Sequence, residues 1–366
     1  MSLCRRRKED CHSPRRLSIM VSELRYSTRA KVLAADGGQL LQVRFLSHAP
    51  QECGEEKEKR GVIRGFSPCS RRRFQRRLAQ VSVTAELPEF VTLTFPDSVL
   101  MDWRPESGRW KFHAFCQQAK VHLQNFLKVL KRELPGASGF WRMEFVERKS
   151  GVYVGMWVPH FHLLVFGVPN IDEQVNEKGE LETVKGWTAR GLCARQTYWN
   201  FQLALLGLSG KAKQGESSTS LSGVVPIVRD DVEWFHWLSL AWYNVVDSHD
   251  MDHARAGTQS STVRSWGGVW CYSSKMYMCK DSDPSRSPYG RHWGIFNRGA
   301  IPWAKMIELD LTGAEGYRLR RVMRRYLERS RGRSYTVRNG CGMTLYCRDA
   351  GLWLSRLVNA PPECPF

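Results

Sequence analysis

The run Pro159-His160-Phe161-His162-Leu163-Leu164-Val165-Phe166-Gly167 constrains this 366-residue chain more than any other stretch. His160 and His162 alternate with Phe161, Leu163 and Val165, and successive side chains of a strand point to opposite faces. The pattern predicts a strand over 157–168, with an apolar side turned to a core and two imidazoles turned away from it. Their Cα atoms would lie about 7 Å apart on one rigid ribbon. Two imidazoles projecting together suit a divalent cation. A third ligand must come from a neighbouring strand, and the strand predicted over 140–147 carries Glu144 and Glu147. These two stand an odd distance apart and face opposite sides, so only one can reach the histidines. A hard cation such as Mg²⁺ or Mn²⁺ prefers a carboxylate among its ligands.

Around this strand the chain reads as α+β. In Phe90-Val91-Thr92-Leu93-Thr94-Phe95-Pro96, apolar and Thr residues alternate until proline stops the strand. Phe112, Phe115, Ala119, Leu123, Phe126, Leu127 and Leu130 make one stripe on a helix predicted over 111–134, ended by Pro135-Gly136. Strand, helix, strand, strand implies a central antiparallel sheet with helices packed on it. From 169 to 231 the pattern decays into charged and Gly/Ser-rich pieces, read as an insertion with one helix near 196–206. Order returns over 234–246, an aromatic helix, and over 267–280, and 317–333 forms a helix carrying eight arginines. The expected organisation is a basic, partly ordered N-terminal arm (1–85), a central domain (86–312) and an Arg-rich C-terminal extension (313–366).

Charge narrows the partner. The chain holds 55 Lys and Arg against 36 Asp and Glu, a net +19, which implies a polyanion and most often nucleic acid. Residues 1–80 alone contribute 19 basic against 8 acidic side chains. Arg71, Arg72 and Arg73 near that end, with Arg320, Arg321, Arg324 and Arg325 near the other, are the expected phosphate contacts. Eleven cysteines without a C-x-x-C pair fit no zinc template or disulfide framework and point to a reducing cytoplasm. No stretch of eighteen apolar residues predicts a membrane span.

A second local signal lies in Tyr272-Ser273-Ser274-Lys275-Met276-Tyr277-Met278-Cys279-Lys280, where Tyr-x-x-Lys occurs twice on one predicted helix. At i, i+3 each Lys lies beside its Tyr. An adjacent ammonium favours phenolate over a phenol of ordinary pKa near 10, and it can hold a phosphate oxygen. The two tyrosines are five residues apart, about 140° on a helical wheel, so they do not share a face. Tyr272 is flanked by both lysines, with Lys275 at about 300° and Lys280 at about 80° from it.

Phe-Val-Thr-Leu-Thr-Phe-Pro, then His-Phe-His, then Tyr-x-x-Lys resembles the three ordered motifs of the HUH endonucleases. More narrowly, the chain is similar to rolling-circle replication initiators (Rep proteins) of bacteriophages and plasmids. Gly267-Gly268-Val269-Trp270-Cys271-Tyr272 and Gly290-Arg291-His292-Trp293-Gly294-Ile295-Phe296-Asn297-Arg298 add to the likeness, which spans roughly 90–304. The resemblance implies an RRM/ferredoxin-like core with insertions and terminal extensions. It also implies His160, His162 and Glu144 as ligands of Mg²⁺ or Mn²⁺, Tyr272 as nucleophile, Lys275 as its phosphate-binding neighbour and Tyr277 as a second tyrosine. Lys280 joins the DNA contacts. The implied activity nicks one strand of single-stranded or supercoiled origin DNA. It leaves a 5′-phosphotyrosine and a 3′-OH, and draws on a host helicase and polymerase in the bacterial cytoplasm. An HUH transposase and a non-catalytic basic DNA-binding replication factor are the alternatives. Two features depart from the family: the hairpin between Glu144 and His160 is longer than its usual tight connection, and Tyr272 and Tyr277 stand five apart where phage members often pair tyrosines four apart.

Overall fold

A computed structural model describes residues 29–46, 66–101, 112–149, 153–175, 181–188, 231–269, 290–332, 334 and 336–359. In chain order the elements are β1 (Ala30–Asp36), β2 (Leu40–Phe45), α1 (Pro68–Leu78), β3 (Glu89–Leu93), α2 (Asp97–Met101) and α3 (Phe112–Glu133). There follow β4 (Ser138–Glu147), β5 (Trp157–Phe166), β6 (Asn170–Val175), β7 (Leu181–Thr188), β8 (Asp231–Glu233), α4 (Trp234–Val246) and α5 (Met251–Ala256). The last are β9 (Thr258–Thr262), β10 (Trp293–Phe296), β11 (Lys305–Leu311), α6 (Gly313–Arg331), β12 (Gly342–Tyr346) and α7 (Ala350–Asn359). They fall into two compact units, each with its own sheet.

The first unit takes the described residues of Arg60–Phe74 and Glu86–Pro302. Its sheet has the order β10-β4-β5-β3-β9, with every neighbouring pair antiparallel. Val91, Leu93, Met143, Phe161, Leu163 and Val165 share the buried core. Into that core α3 sends Phe115, Ala119, Leu123, Phe126 and Leu130, spaced three or four apart as one helix face requires, and α4 sends Trp237, Leu238 and Trp242. Phe161 is fully buried, its ring 6.3 Å from Phe95, 6.3 Å from Trp141 and 6.5 Å from Trp242, all edge-on. The Trp242 indole N–H donates to the Thr94 carbonyl, so the ring keeps its polar atom satisfied inside the core. The antiparallel α+β reading and the strands and helices expected over 90–95, 111–134, 140–147, 157–168 and 234–246 all appear here.

Two parts of the sequence reading change. Where the pattern decays after 169, β6, β7 and β8 form a small antiparallel sheet; the helix expected near 196–206 lies outside the described residues. The ends of the chain, expected as an arm and an extension, meet in the second unit, where the sheet order is β11-β1-β2-β12. Val32, Leu41, Val43 and Phe45 of the N-terminal hairpin share a core with Leu319, Met323 and Leu327 of α6 and Leu354 of α7. Strands of 7 and 6 residues carry too short a period to announce themselves. Their apolar side is buried only by partners far down the chain.

One close approach locks the β4–β5 pairing. A Cβ on Gly139 would stand 1.8 Å from the Leu164 carbonyl oxygen, whereas one on Gly136 would meet nothing within 4 Å. Gly139→Ala should therefore lower stability by about 2 kcal/mol or more. Gly136→Ala should stay within about 1 kcal/mol of the parent. Urea midpoints of the two variants check this; equal midpoints would refute it.

Candidate active site

The face of the five-stranded sheet opposite α3 and α4 carries the histidines. In the ladder Glu144 lies directly opposite His160, and Arg142 directly opposite His162; on the other side Thr92 lies opposite His162. Cross-strand partners share a face, so three strands deliver Thr92, Arg142, Glu144, His160 and His162 to one patch. Glu147, opposite Trp157 at the strand end, is exposed and odd in register, so Glu144 is the glutamate beside the histidines.

These side chains form a chain of contacts. The Glu144 carboxylate receives Arg142 Nη2 at 3.0 Å on Oε1 and faces His162 Nε2 at 3.4 Å with Oε2. On its far side His162 Nδ1 stands 3.1 Å from the Thr92 hydroxyl, and its ring stacks on Phe90 at 5.4 Å and 15°. A hydroxyl can either donate or accept, so Thr92 holds the ring in both tautomers. With Nε2–H turned to the Glu144 carboxylate, Nδ1 accepts from the Thr92 hydroxyl. At 3.4 Å the His162–Glu144 contact is longer than the roughly 2.7–2.9 Å of a strong charge-assisted N–H···O bond.

Arg142 is only 3% exposed and lies 4.6 Å over the Phe66 ring. The first half of α1 walls this edge: Phe74 meets Phe140 and Trp293 edge-on, and the Trp293 indole donates to Ser70 Oγ at 2.8 Å. At the other end of β4, Arg148 donates to the Phe95 carbonyl and pairs with Asp97 at 3.0 Å.

Protonation follows from these neighbours. Burial, then the charges of His162 and Arg148, push His160 down to about 4 against the pull of Glu144, so it is neutral near pH 7. Burial alone would raise the Glu144 carboxyl, but the His162 hydrogen bond and the Arg142 charge hold it below its ordinary value. Two imidazoles, one of them held neutral, and an ionised carboxylate are the donor set that Mg²⁺ or Mn²⁺ accepts. Among the described residues no three His, Cys, Asp or Glu converge tightly enough to enclose an ion. Glu144 and His162 meet, and His160 joins them through the strand register.

Tyr272, Lys275, Tyr277 and Lys280 lie outside the described residues. Arg71, Arg72 and Arg73 lie on α1, where Arg71 Nε donates to the Phe66 carbonyl at 3.1 Å and Arg72 and Arg73 are exposed. Arg320, Arg321, Arg324 and Arg325 lie on α6 of the second unit. Sequence reasoning missed Arg142, Thr92 and Phe90 as site residues. The signal was present: Arg142 stands two before Glu144, and Thr92 alternates with core residues in β3. Comparison with known proteins finds no matching family model, and no curated protein or solved structure matches the chain.

Behind the patch, the His292 carbonyl accepts from the Met143 amide at 2.8 Å, and its ring meets Phe145 edge-on. Burial, then the charges of Lys120 on α3 and Arg142 on β4, lower His292 to about 4. Unfolded, the ring takes a proton near pH 6.5; folded, it resists until about pH 4. The unfolded state thus binds more protons in that window, and the stability His292 contributes is lost as pH falls through it. His292→Phe should shrink the drop in unfolding free energy between pH 7 and pH 5 by about 2 kcal/mol. Urea titrations at both pH values decide; an unchanged drop would show the ring is protonated in the fold.

Proposed function

We propose that the chain is a metal-dependent endonuclease of the HUH type that nicks one DNA strand to start rolling-circle replication. The observation that carries this reading is the placement of His160, His162 and Glu144 on one face of an antiparallel sheet, away from its core and beside the buried Arg142. The net charge of +19 supports a nucleic-acid partner, and among the described residues no helix is long and apolar enough to cross a membrane.

His160, His162 and Glu144 would hold a Mg²⁺ or Mn²⁺ ion, which would supply Lewis-acid polarisation of the scissile phosphate. Each residue of the patch has a part in that task. Arg142 occupies one oxygen of Glu144 and keeps the carboxylate ionised, leaving the other oxygen turned to His162. Thr92 and Phe90 fix the position and tilt of the His162 ring. The phenolic oxygen of Tyr272 attacks phosphorus, the P–O3′ bond breaks, and the strand is left with a 5′-phosphotyrosine and a free 3′-OH. Lys275, three residues on, favours the phenolate and steadies a phosphate oxygen. Because the phosphotyrosine conserves the phosphodiester bond energy, the reverse attack by a 3′-OH rejoins ends without a nucleotide.

The test is a covalent-adduct assay: a randomised single-stranded oligonucleotide pool with Mn²⁺, denaturing electrophoresis, then mass spectrometry of the DNA-linked peptide. The linked peptide should contain Tyr272. Tyr272→Phe should abolish the adduct, Tyr277→Phe should slow it at most, and His160→Ala with His162→Ala should cut it by about 100-fold or more. EDTA should do the same reversibly. Adduct formation that survives the double histidine change overturns the metal site. Tight DNA binding with no adduct from the parent protein identifies a non-catalytic binding factor instead.

A further inference from the structure

The second unit holds a hollow that the nicking reading does not use. It measures about 310 Å³ and is lined by Tyr317, Arg320, Arg321 and Arg324 of α6, with Ser334 and Thr336 just beyond the helix. Residues 317, 320, 321, 324 and 328 recur at three- and four-residue steps, so they form one stripe on the helix. This stripe runs beside the apolar one, Leu319, Met323 and Leu327, that anchors α6 to its core. Three guanidinium groups face one carboxylate, Glu328, whose Oε1 reaches Arg324 Nε only at 3.8 Å.

Arg320 differs from an ordinary surface arginine. Its guanidinium lies 5.2 Å over the Phe45 ring and donates to Asn339 Oδ1, while its buried Nε–H meets no acceptor among the described residues. A guanidinium stacked on an aromatic ring, beside two further guanidiniums, calls for an anion with several oxygens. A phosphate group has them, and the hydroxyls of Ser334 and Thr336 add donors across the hollow. The space also exceeds what one inorganic phosphate fills: at about 30 Å³ per water it has room for about ten. Tyr317 offers a ring for the remainder.

We infer that this hollow is a nucleotide site for single-stranded DNA, with one backbone phosphate on Arg321 and Arg324 and the attached base on Tyr317. The inference rests on DNA as the partner but not on cleavage. It deepens the reading by giving the second unit a grip on the strand independent of the histidine patch.

The experiment measures binding of fluorescein-labelled oligothymidine to the full chain by anisotropy, across a salt series. Arg321→Gln with Arg324→Gln should weaken binding about tenfold or more and flatten the log–log salt slope by about 0.7, the contribution of the one single-strand phosphate the pair holds. Arg329→Gln with Arg331→Gln removes the same charge from the same helix outside the hollow, and should weaken binding less than threefold. Tyr317→Leu should weaken binding about tenfold with the slope unchanged, as loss of one stacked base predicts. Melting curves confirm that each variant is folded. Equal losses from the two arginine pairs, or none from either, overturn the site. Calorimetric titration with inorganic phosphate and with thymidine monophosphate separates the sources. Binding of either that disappears in the Arg321/Arg324 variant while oligothymidine binding is unaffected overturns the strand assignment in favour of a free phosphate ligand. The adduct assay is scored separately, so a chain that binds through this hollow but never nicks overturns only the nuclease reading.

Discussion

Ten consecutive residue pairs between β4 and β5, from Ser138 opposite Phe166 to Glu147 opposite Trp157, decide what lies on each face of the central sheet. Because side chains alternate with a period of two, a slip of one residue would exchange the faces of one strand completely. His160 and His162 would then enter the space now filled by Phe161 and Leu163 against α3 and α4. The same slip in β4 would drive Arg142 and Glu144 into that core, where an unpaired charge costs several kcal/mol. Gly139 helps hold the register, since its missing side chain is what lets the Leu164 carbonyl come so close. The apolar face and the polar face therefore specify one another.

Within that register the polar face is organised as a line that crosses three strands: Phe66 beneath Arg142, then Glu144, His162 and Thr92. Arg142 is almost fully buried, and its charge is balanced by Glu144 and by the ring below it. Such a chain of contacts holds its members in one arrangement. The two histidines are treated differently. His162 is held from both ring nitrogens and from its face, whereas His160 is governed mainly by burial, which keeps it neutral.

The second unit uses a comparable economy on a single helix. One stripe of α6 packs Leu319, Met323 and Leu327 into a core shared with the N-terminal hairpin. The adjacent stripe presents arginines around a hollow, and Arg320 belongs to both settings through its stack on Phe45. A helix whose core side is so firmly packed can carry a dense row of like charges that would destabilise it in isolation.

The sequence by itself determined the elements whose periods are long and strict. The alternation in β5, the apolar stripe of α3 and the aromatic helix α4 were legible because burial of one face repeats over many residues. The facing of His160 and His162 followed from the same alternation, and parity alone separated Glu144 from Glu147. Tertiary structure decided what depends on contacts between distant segments. It chose Glu144 by laying β4 against β5 in one register, and it recruited Thr92 and Phe90 from a strand some 70 residues earlier. It also joined the hairpin at residues 30–45 to β11 and β12, a pairing that no local pattern encodes. Short strands reveal little about their partners, because an edge of backbone N–H and C=O groups is the same for every sequence; only the packed faces on either side select which edges meet.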